Sequence, residues 1–597
     1  MPNPTPNPLP AAVPIPATAR RPMRARNKQL LMAAPMVLLL VTFLVYPSAQ
    51  LFLLSFQKGG SFSLENFQRL LGTPVYLTVM MLTLKISMVT TIFAVIAGYP
   101  VAYLISILPN AKKGRVLFWI LLSFWASFLV RAFAWIILLG RNGVVNKLFQ
   151  AIGLTSEPVP LLYNFSAVVI GMVHALLPLA VLTMLSVMQN IDRNLTRAAS
   201  TLGARPGMAF WKVYFPLSFP GVTSGALMVF VTAIGFFIFP ALLGGRRETM
   251  ITQIIIEQII QTMNWGFAAA VAVLLLIVVL LVFVIYDRAV GLSTMTGQSS
   301  TRKARKGGKG VLSRAGDAIL TGLGHASDAI IGLFPRRRKA QEGAPPALTG
   351  FVAVLLIVMT LPVLLMIPLS FAESGLNWPP QGFTLKWYEQ IFSSPIWMSA
   401  LWRSLVVGIS TAVLAILIGT PVAFLIVRSQ IRGKAALLAF TLMPVVMPNM
   451  ILSVGLFYLY ARIGLVGTNI GLIIGHTVIA VPYVVLTVMS VLRNYDIRLD
   501  LAAQSLGATP WVTLRLVTLP IIGAGMISAF LFAFTISFDE LTIALFTSGG
   551  MSATLPKQLW DEVSLSISPL LAAVSTCLFL FVTTLIIVVG FLNRRQK

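Results

Sequence analysis

Residues 265–286 read Trp-Gly-Phe-Ala-Ala-Ala-Val-Ala-Val-Leu-Leu-Leu-Ile-Val-Val-Leu-Leu-Val-Phe-Val-Ile-Tyr, without one charged side chain, and similar runs recur throughout the chain. A helix rises about 1.5 Å per residue, so about twenty apolar residues cross the roughly 30 Å hydrocarbon layer of a bilayer. The runs are continuous rather than alternating, which excludes a transmembrane barrel. Twelve spans are predicted, at 30–56, 77–107, 116–139, 165–189, 218–243, 265–286, 348–371, 397–427, 435–460, 470–491, 519–546 and 568–592. The expected fold is therefore an all-α integral membrane protein. Six spans per half give the two halves the same orientation, with both termini on one side.

The charges say which side. The chain is 57% hydrophobic and only 10% charged, yet its net charge is +27. With those spans, the loops on the terminus side hold 32 of the 44 Lys and Arg and 7 of the 17 acids. Such an excess marks the cytoplasmic side, so the charge orients the chain and does not point to nucleic acid. Residues 1–28 read as a disordered tail whose Arg20, Arg21, Arg24, Arg26 and Lys28 hold the N-terminus inside. Cys577, the single cysteine, lies in an apolar span, so neither a disulfide framework nor a cysteine metal site is available.

The halves repeat one another. Phe62-Ser63-Leu64 returns as Phe383-Thr384-Leu385, and Gly98, Pro100, Val101 and Ala102 return as Gly419, Pro421, Val422 and Ala423, an offset of 321. Further on the offset falls to 304: Ala198, Ala199, Leu202, Gly203, Ala204, Pro206, Val213 and Pro216 return as Ala502, Ala503, Leu506, Gly507, Ala508, Pro510, Val517 and Pro520. About 17 extra residues in the outside loop at 140–164 account for the difference. Each later copy reads as helix, break, helix: Gly203 and Gly507 suit the left-handed residue that closes one helix, and Pro206 and Pro510 the first position of the next. Small residues before each glycine leave a shallow face for another protein.

These two stretches resemble the cytoplasmic EAA loop of ABC importer permeases. The resemblance rests on Ala198-Ala199, Gly203 and Val213 to Pro216, and again on Ala502-Ala503, Gly507 and Val517 to Pro520. The family's leading glutamate is replaced by Arg197 in one copy and Leu501 in the other, so no ion pair through that glutamate is implied. Leu129-Val130-Arg131, Ala134-Trp135, Asn142-Gly143 and Pro240 to Gly245 resemble one spermidine/putrescine-type permease. Pro444, Pro448, Gly475-His476, Pro482-Tyr483, Ser537 to Glu540 and Thr554-Leu555-Pro556 resemble its partner. The resemblance implies two permeases of type I importer architecture fused in one chain: 29–286 with its loop at 190–217, and 348–597 with its loop at 492–518.

It further implies two ATPase subunits docking on Arg197, Ala198, Ala199, Leu202, Gly203, Ala204, Val213 and Pro216, and on Leu501, Ala502, Ala503, Leu506, Gly507, Ala508, Val517 and Pro520. An extracytoplasmic solute-binding protein would deliver the solute, a polyamine first and another small solute as the alternative. The expected location is the inner membrane of a bacterium. No Gly-x-x-x-x-Gly-Lys-[Ser/Thr] loop occurs in the chain, so ATP and magnesium are expected on the partner ATPase; this chain is expected to carry no cofactor, metal or catalytic residue.

Ionisable groups inside a membrane are costly and point to function. Arg131, close to Trp135, sits within the third predicted span, and Asp539 and Glu540 interrupt the eleventh. On a continuous helix the two acids would point about 100° apart, one toward a base and the other toward a pathway. His476 and Tyr483 complete the pathway candidates. An ion-driven transporter would need further carboxylates at mid-membrane, which the other spans lack. The joining segment, 287–347, carries eleven Lys and Arg. Its apolar period at Leu312, Ala315, Ile319, Leu323, Ala326, Ile330 and Leu333 fits an amphipathic helix on the inner leaflet, and its glycines fit a solvated tether.

Overall fold

The computed structural model describes residues 31–289, 311–332 and 345–594, apart from position 430. The tail at 1–28, both ends of the joining segment and the last three residues lie outside the described residues.

Ten helices among the described residues are long and apolar enough to cross a bilayer. Six belong to the first half: Leu31–Ser55, Pro74–Ile107, Phe128–Ala151, Phe165–Met188, Pro206–Ile234 and Trp265–Tyr286. Four belong to the second: Pro346–Leu369, Pro395–Arg428, Asn469–Asn494 and Pro510–Phe538. A pair bent by 90°, Lys434–Val446 and Asn449–Ile463, makes an eleventh span. The twelfth, expected at 568–592, falls on the helix Pro569–Arg594, whose described apolar portion is the shorter Pro569–Leu585.

The expectation of unbroken spans fails at four places, and these places are related. The third predicted span, 116–139, is two helices, Asn110–Trp125 and Phe128–Leu139, parted by extended backbone at Ala126 and Ser127. Its counterpart breaks at Met447 and Pro448, where proline forces the preceding residue out of helical geometry. The fifth predicted span stops at Ile234 and resumes over Ile238–Leu243. Its counterpart stops at Phe538 and resumes over Thr542–Thr547. The fifth spans also begin earlier than predicted, at Pro206 and Pro510.

The repeat is legible in the elements. Pro74–Ile107 and Pro395–Arg428 are each 34 residues long and 321 positions apart. Asn194–Thr201 and Arg498–Ser505 lie 304 apart. The residues that change the offset lie in the stretch between Leu139 and Phe165 that carries the helix Val144–Ala151.

The halves exchange their first spans. Pro47 of the first half packs on Gly455 of the second, where an added Cβ would lie 3.1 Å away, and Phe43 meets Tyr460 with ring centroids 6.4 Å apart. In return, the carbonyl of Met359, on the second half's first span, lies 2.9 Å from His174 Nε2 and 3.2 Å from Ser123 Oγ. Buried apolar side chains from both halves form one continuous core.

Candidate functional site

Two sites follow from this frame: a matched pair of loops at one end of the bundle, and a cluster of charges where the four breaks meet.

In the first loop Leu202, Gly203 and Ala204 close the helix Asn194–Thr201 by donating N–H groups to Ala198, Ser200 and Ala199. In the second, Leu506, Gly507 and Ala508 donate to Ala502, Gln504 and Ala503. Gly203 and Gly507 both have φ of +88°, a left-handed conformation costing an L-residue with a side chain roughly 1–2 kcal/mol. Beside them Leu202 and Leu506 are each 89% exposed, so two large apolar side chains stand at the same point of each loop. Arg197, Ala198, Leu501 and Ala502 are also exposed, while Ala199, Ala503, Ala204 and Ala508 are half-buried. Val213 and Val517 lie in widened π turns, Phe210–Tyr214 and Leu514–Thr518. Those turns absorb Pro216 and Pro520, which have no N–H to give and would crowd a normal α-turn.

The loops are anchored differently. Asp500, one residue before Leu501, is buried, accepts hydrogen bonds from Arg428 at 2.5 Å, from the Tyr495 hydroxyl at 2.5 Å and from Thr518 at 2.8 Å. Burial and the hydrogen bond to Asp500 hold the Tyr495 phenol above its ordinary pKa. In the first loop the corresponding position is Thr196. There Arg193 donates to the Ser106 carbonyl, and the Ser106 and Tyr214 hydroxyls are 2.9 Å apart. The sequence reading missed Asp500, though an acid beside the vanished glutamate was a signal.

At the centre, the fifth-span break of each half faces the third-span break of the other. Gly235 faces Pro448, and an added Cβ at Gly235 would lie 3.5 Å from the Pro448 Cβ. By the repeat offsets Gly235 corresponds to Asp539, and Ser127 to Pro448. Asp539 faces the Ser127 hydroxyl, the Phe128 N–H and, within electrostatic reach, the Arg131 guanidinium. Arg131 is fully buried, donates through one Nη to the Ala175 carbonyl at 3.0 Å and lies 4.5 Å over the Phe128 ring. Among the described residues its Nε and other Nη have no hydrogen-bond partner.

Glu540 points elsewhere. Its two carboxylate oxygens accept the N–H groups of Thr542 and Ile543, each at 2.9 Å, capping the helix Thr542–Thr547. Behind it His476 Nε2 is 3.5 Å from the carboxylate, and His476 Nδ1 is 2.8 Å from the Ser537 hydroxyl. The acids thus diverge because the helix ends at Phe538, and the angular argument for a continuous helix does not apply. Of the remaining candidates, Trp135 packs edge-on against His174 with centroids 5.5 Å apart, and Tyr483 packs against Phe532 at 5.4 Å. Neither joins the charged cluster. Ser127, which does, was not singled out by sequence, and Ser537 entered only within the stretch that carries the resemblance. A cavity of about 30 Å³, lined by Trp125, Ser127, Val130, Thr535, Phe538 and Asp539 among others, lies between the halves.

Residues 29–290 and 413–597 match the family described as binding-protein-dependent transport system inner membrane component. The chain belongs to this family. It is similar to the spermidine/putrescine transport system permease protein PotB of Escherichia coli K12, 32% identical over 38% of this chain and 82% of that protein. PotB of Haemophilus influenzae is 32% identical over 41% of this chain and 89% of its own length. The PotC permease of E. coli K12 is 29% identical over 42% of this chain and 94% of that protein. Each relative matches about two-fifths of this chain and most of its own length, so the chain is two such permeases in one polypeptide. The permease is a multi-pass membrane protein and a component of an importer.

Proposed function

We propose that this permease forms the translocation pathway for a small cationic solute of polyamine type. The solute is handed over by an extracytoplasmic binding protein, and separate ATPase subunits supply the energy from the cytoplasmic side, where both termini also lie. The observation that carries this reading is the matched pair of loops, each presenting an exposed leucine, Leu202 or Leu506, beside a left-handed glycine. One ATPase subunit sits on each. ATP draws the subunits and the two loops together, and the movement passes through the π turns into the fifth spans, a two-state alternation carried by rigid helices.

A 30 Å³ cavity admits about one water and no polyamine, so passage requires the fifth-span and third-span breaks to part. When they part, Asp539 loses Ser127 and Arg131 and offers its carboxylate to the passing cation. The preference for a cation rests on Asp539 and on the substrates named for the PotB and PotC relatives.

The test replaces both left-handed glycines, Gly203→Arg with Gly507→Arg. The double variant inserts normally and loses copurification with the ATPase. Stoichiometric copurification would overturn the docking. Nucleotide-dependent uptake into vesicles of labelled spermidine, and not of a neutral sugar, tests the solute.

A further inference from the structure

Among the described residues, the joining segment is fastened to one docking loop and not to the other. Over its described part it is one helix, Val311–Gly332. Asp328, 8% exposed, accepts the N–H groups of Gly207 at 2.7 Å and Met208 at 3.2 Å, the first free donors of the segment that begins at Pro206. The Trp211 indole donates to Ser327 at 2.8 Å, and Lys212 reaches the Asp317 carboxylate at 3.2 Å. A Cβ on Gly207 would stand 2.8 Å from the Gly324 carbonyl oxygen, so the approach needs glycine at 207. It would also stand 2.8 Å from Asp328 Oδ1, and one on Gly324 would stand 2.4 Å from the Met208 sulfur.

The second loop is built against such a partner. At the offset of 304, Gly207 becomes Trp511, Trp211 becomes Arg515 and Lys212 becomes Leu516. Trp511 and Leu516 are 69% and 68% exposed. Bulk replaces the glycine that the close approach requires.

The helix has a second face. Ile319, Leu323 and Ile330 are exposed, at spacings of four and seven residues that set them in one stripe. The segment it grips runs directly into the fifth span, whose Leu217 and Phe219 are also exposed. In sequence the helix is bracketed by Arg302, Lys303, Arg305, Lys306 and Lys309 on one side and by Arg336, Arg337, Arg338 and Lys339 on the other. An apolar stripe between basic clusters matches the boundary of an anionic leaflet.

We propose that Val311–Gly332 lies in the plane of the inner membrane surface, its isoleucine and leucine stripe in anionic lipid, and braces the first docking loop against that surface. The second loop is left unbraced, so the two are mechanically unequal. The proposal rests on the cytoplasmic placement of the loops given above, but its test needs no ATPase.

Single cysteines at Leu323, Ile330 and His325, in a full-length Cys577→Ser background, carry a fluorophore in vesicles of phosphatidylethanolamine and phosphatidylglycerol with brominated chains. Quenching at 323 and 330 exceeds that at 325 several-fold. It falls in phosphatidylcholine alone and on changing Arg336, Arg337, Arg338 and Lys339 to Gln. Equal quenching at the three positions, or shielding of 323 from lipid when ATPase is added, would overturn the lipid assignment. Asp328→Ala raises amide exchange at Gly207 and Met208 at least tenfold; unchanged exchange would overturn the brace. Lipid quenching in a wild-type protein that captures no ATPase would remove the docking reading and leave the brace standing.

Discussion

Asp539 holds a position that its first-half counterpart, Gly235, leaves uncharged. A carboxylate in the membrane is costly unless matched, and here the match comes from the other half, through Ser127, the Phe128 N–H and Arg131. Asp539→Asn keeps the shape and removes the charge. The charged hydrogen bond that the carboxylate would offer the passing cation contributes about 1.5–3 kcal/mol, so its loss should lower labelled spermidine uptake about tenfold or more, with ATPase copurification unchanged and partial recovery in Asp539→Glu. Wild-type uptake in Asp539→Asn would remove this residue from the pathway. The sequence showed that Arg131, Asp539 and Glu540 were out of place in apolar runs, since an ion in hydrocarbon is visible in one dimension. It did not show that the acids flank the end of a helix. Phe534 to Leu541 has no glycine or proline to announce the stop; it is set by partners distant in the chain.

At the scale of elements, the paired glycine-closed loops were the most readable part of the molecule, because their geometry is local. A left-handed glycine, a following proline and short hydrogen bonds within ten residues need no tertiary contact to be specified. Asp500 was not readable, because its role depends on Arg428 at the far end of another span. Removing one member of a largely buried ion pair leaves an uncompensated charge, about 3 kcal/mol destabilising. Asp500→Ala should lower the detergent melting temperature and loosen only the second loop in hydrogen exchange, while Thr196→Ala, at the matching place in the first loop, does neither. The joining helix was half legible. Its apolar period was plain in the sequence, but only the fold shows that the opposite side is gripped through Asp328, so the segment is no loose tether.

At the scale of the whole molecule, the repeats followed from offsets, a property of the chain as a line. The exchange of first spans and the meeting of breaks across the halves did not, because neither leaves a periodic trace. The meeting can be tested. The 3.5 Å between a Cβ at 235 and that of Pro448 lies within the disulfide range of about 3.5–4.5 Å. In a Cys577→Ser background, Gly235→Cys with Pro448→Cys should crosslink under mild oxidation, stop uptake, and recover with reductant. A crosslinked protein that transports at full rate would show that the breaks need not part. The two crossings are unlike, glycine on proline at one and aspartate on serine at the other, and this has a bearing on biogenesis. Two copies of the second half, assembling by mistake, would set Asp539 against Pro448, with Leu452 standing where Arg131 belongs, and strand a carboxylate in a dry seam. Synthesis as a single polypeptide delivers each half beside its proper mate, so such a miscarriage of assembly has little chance to begin.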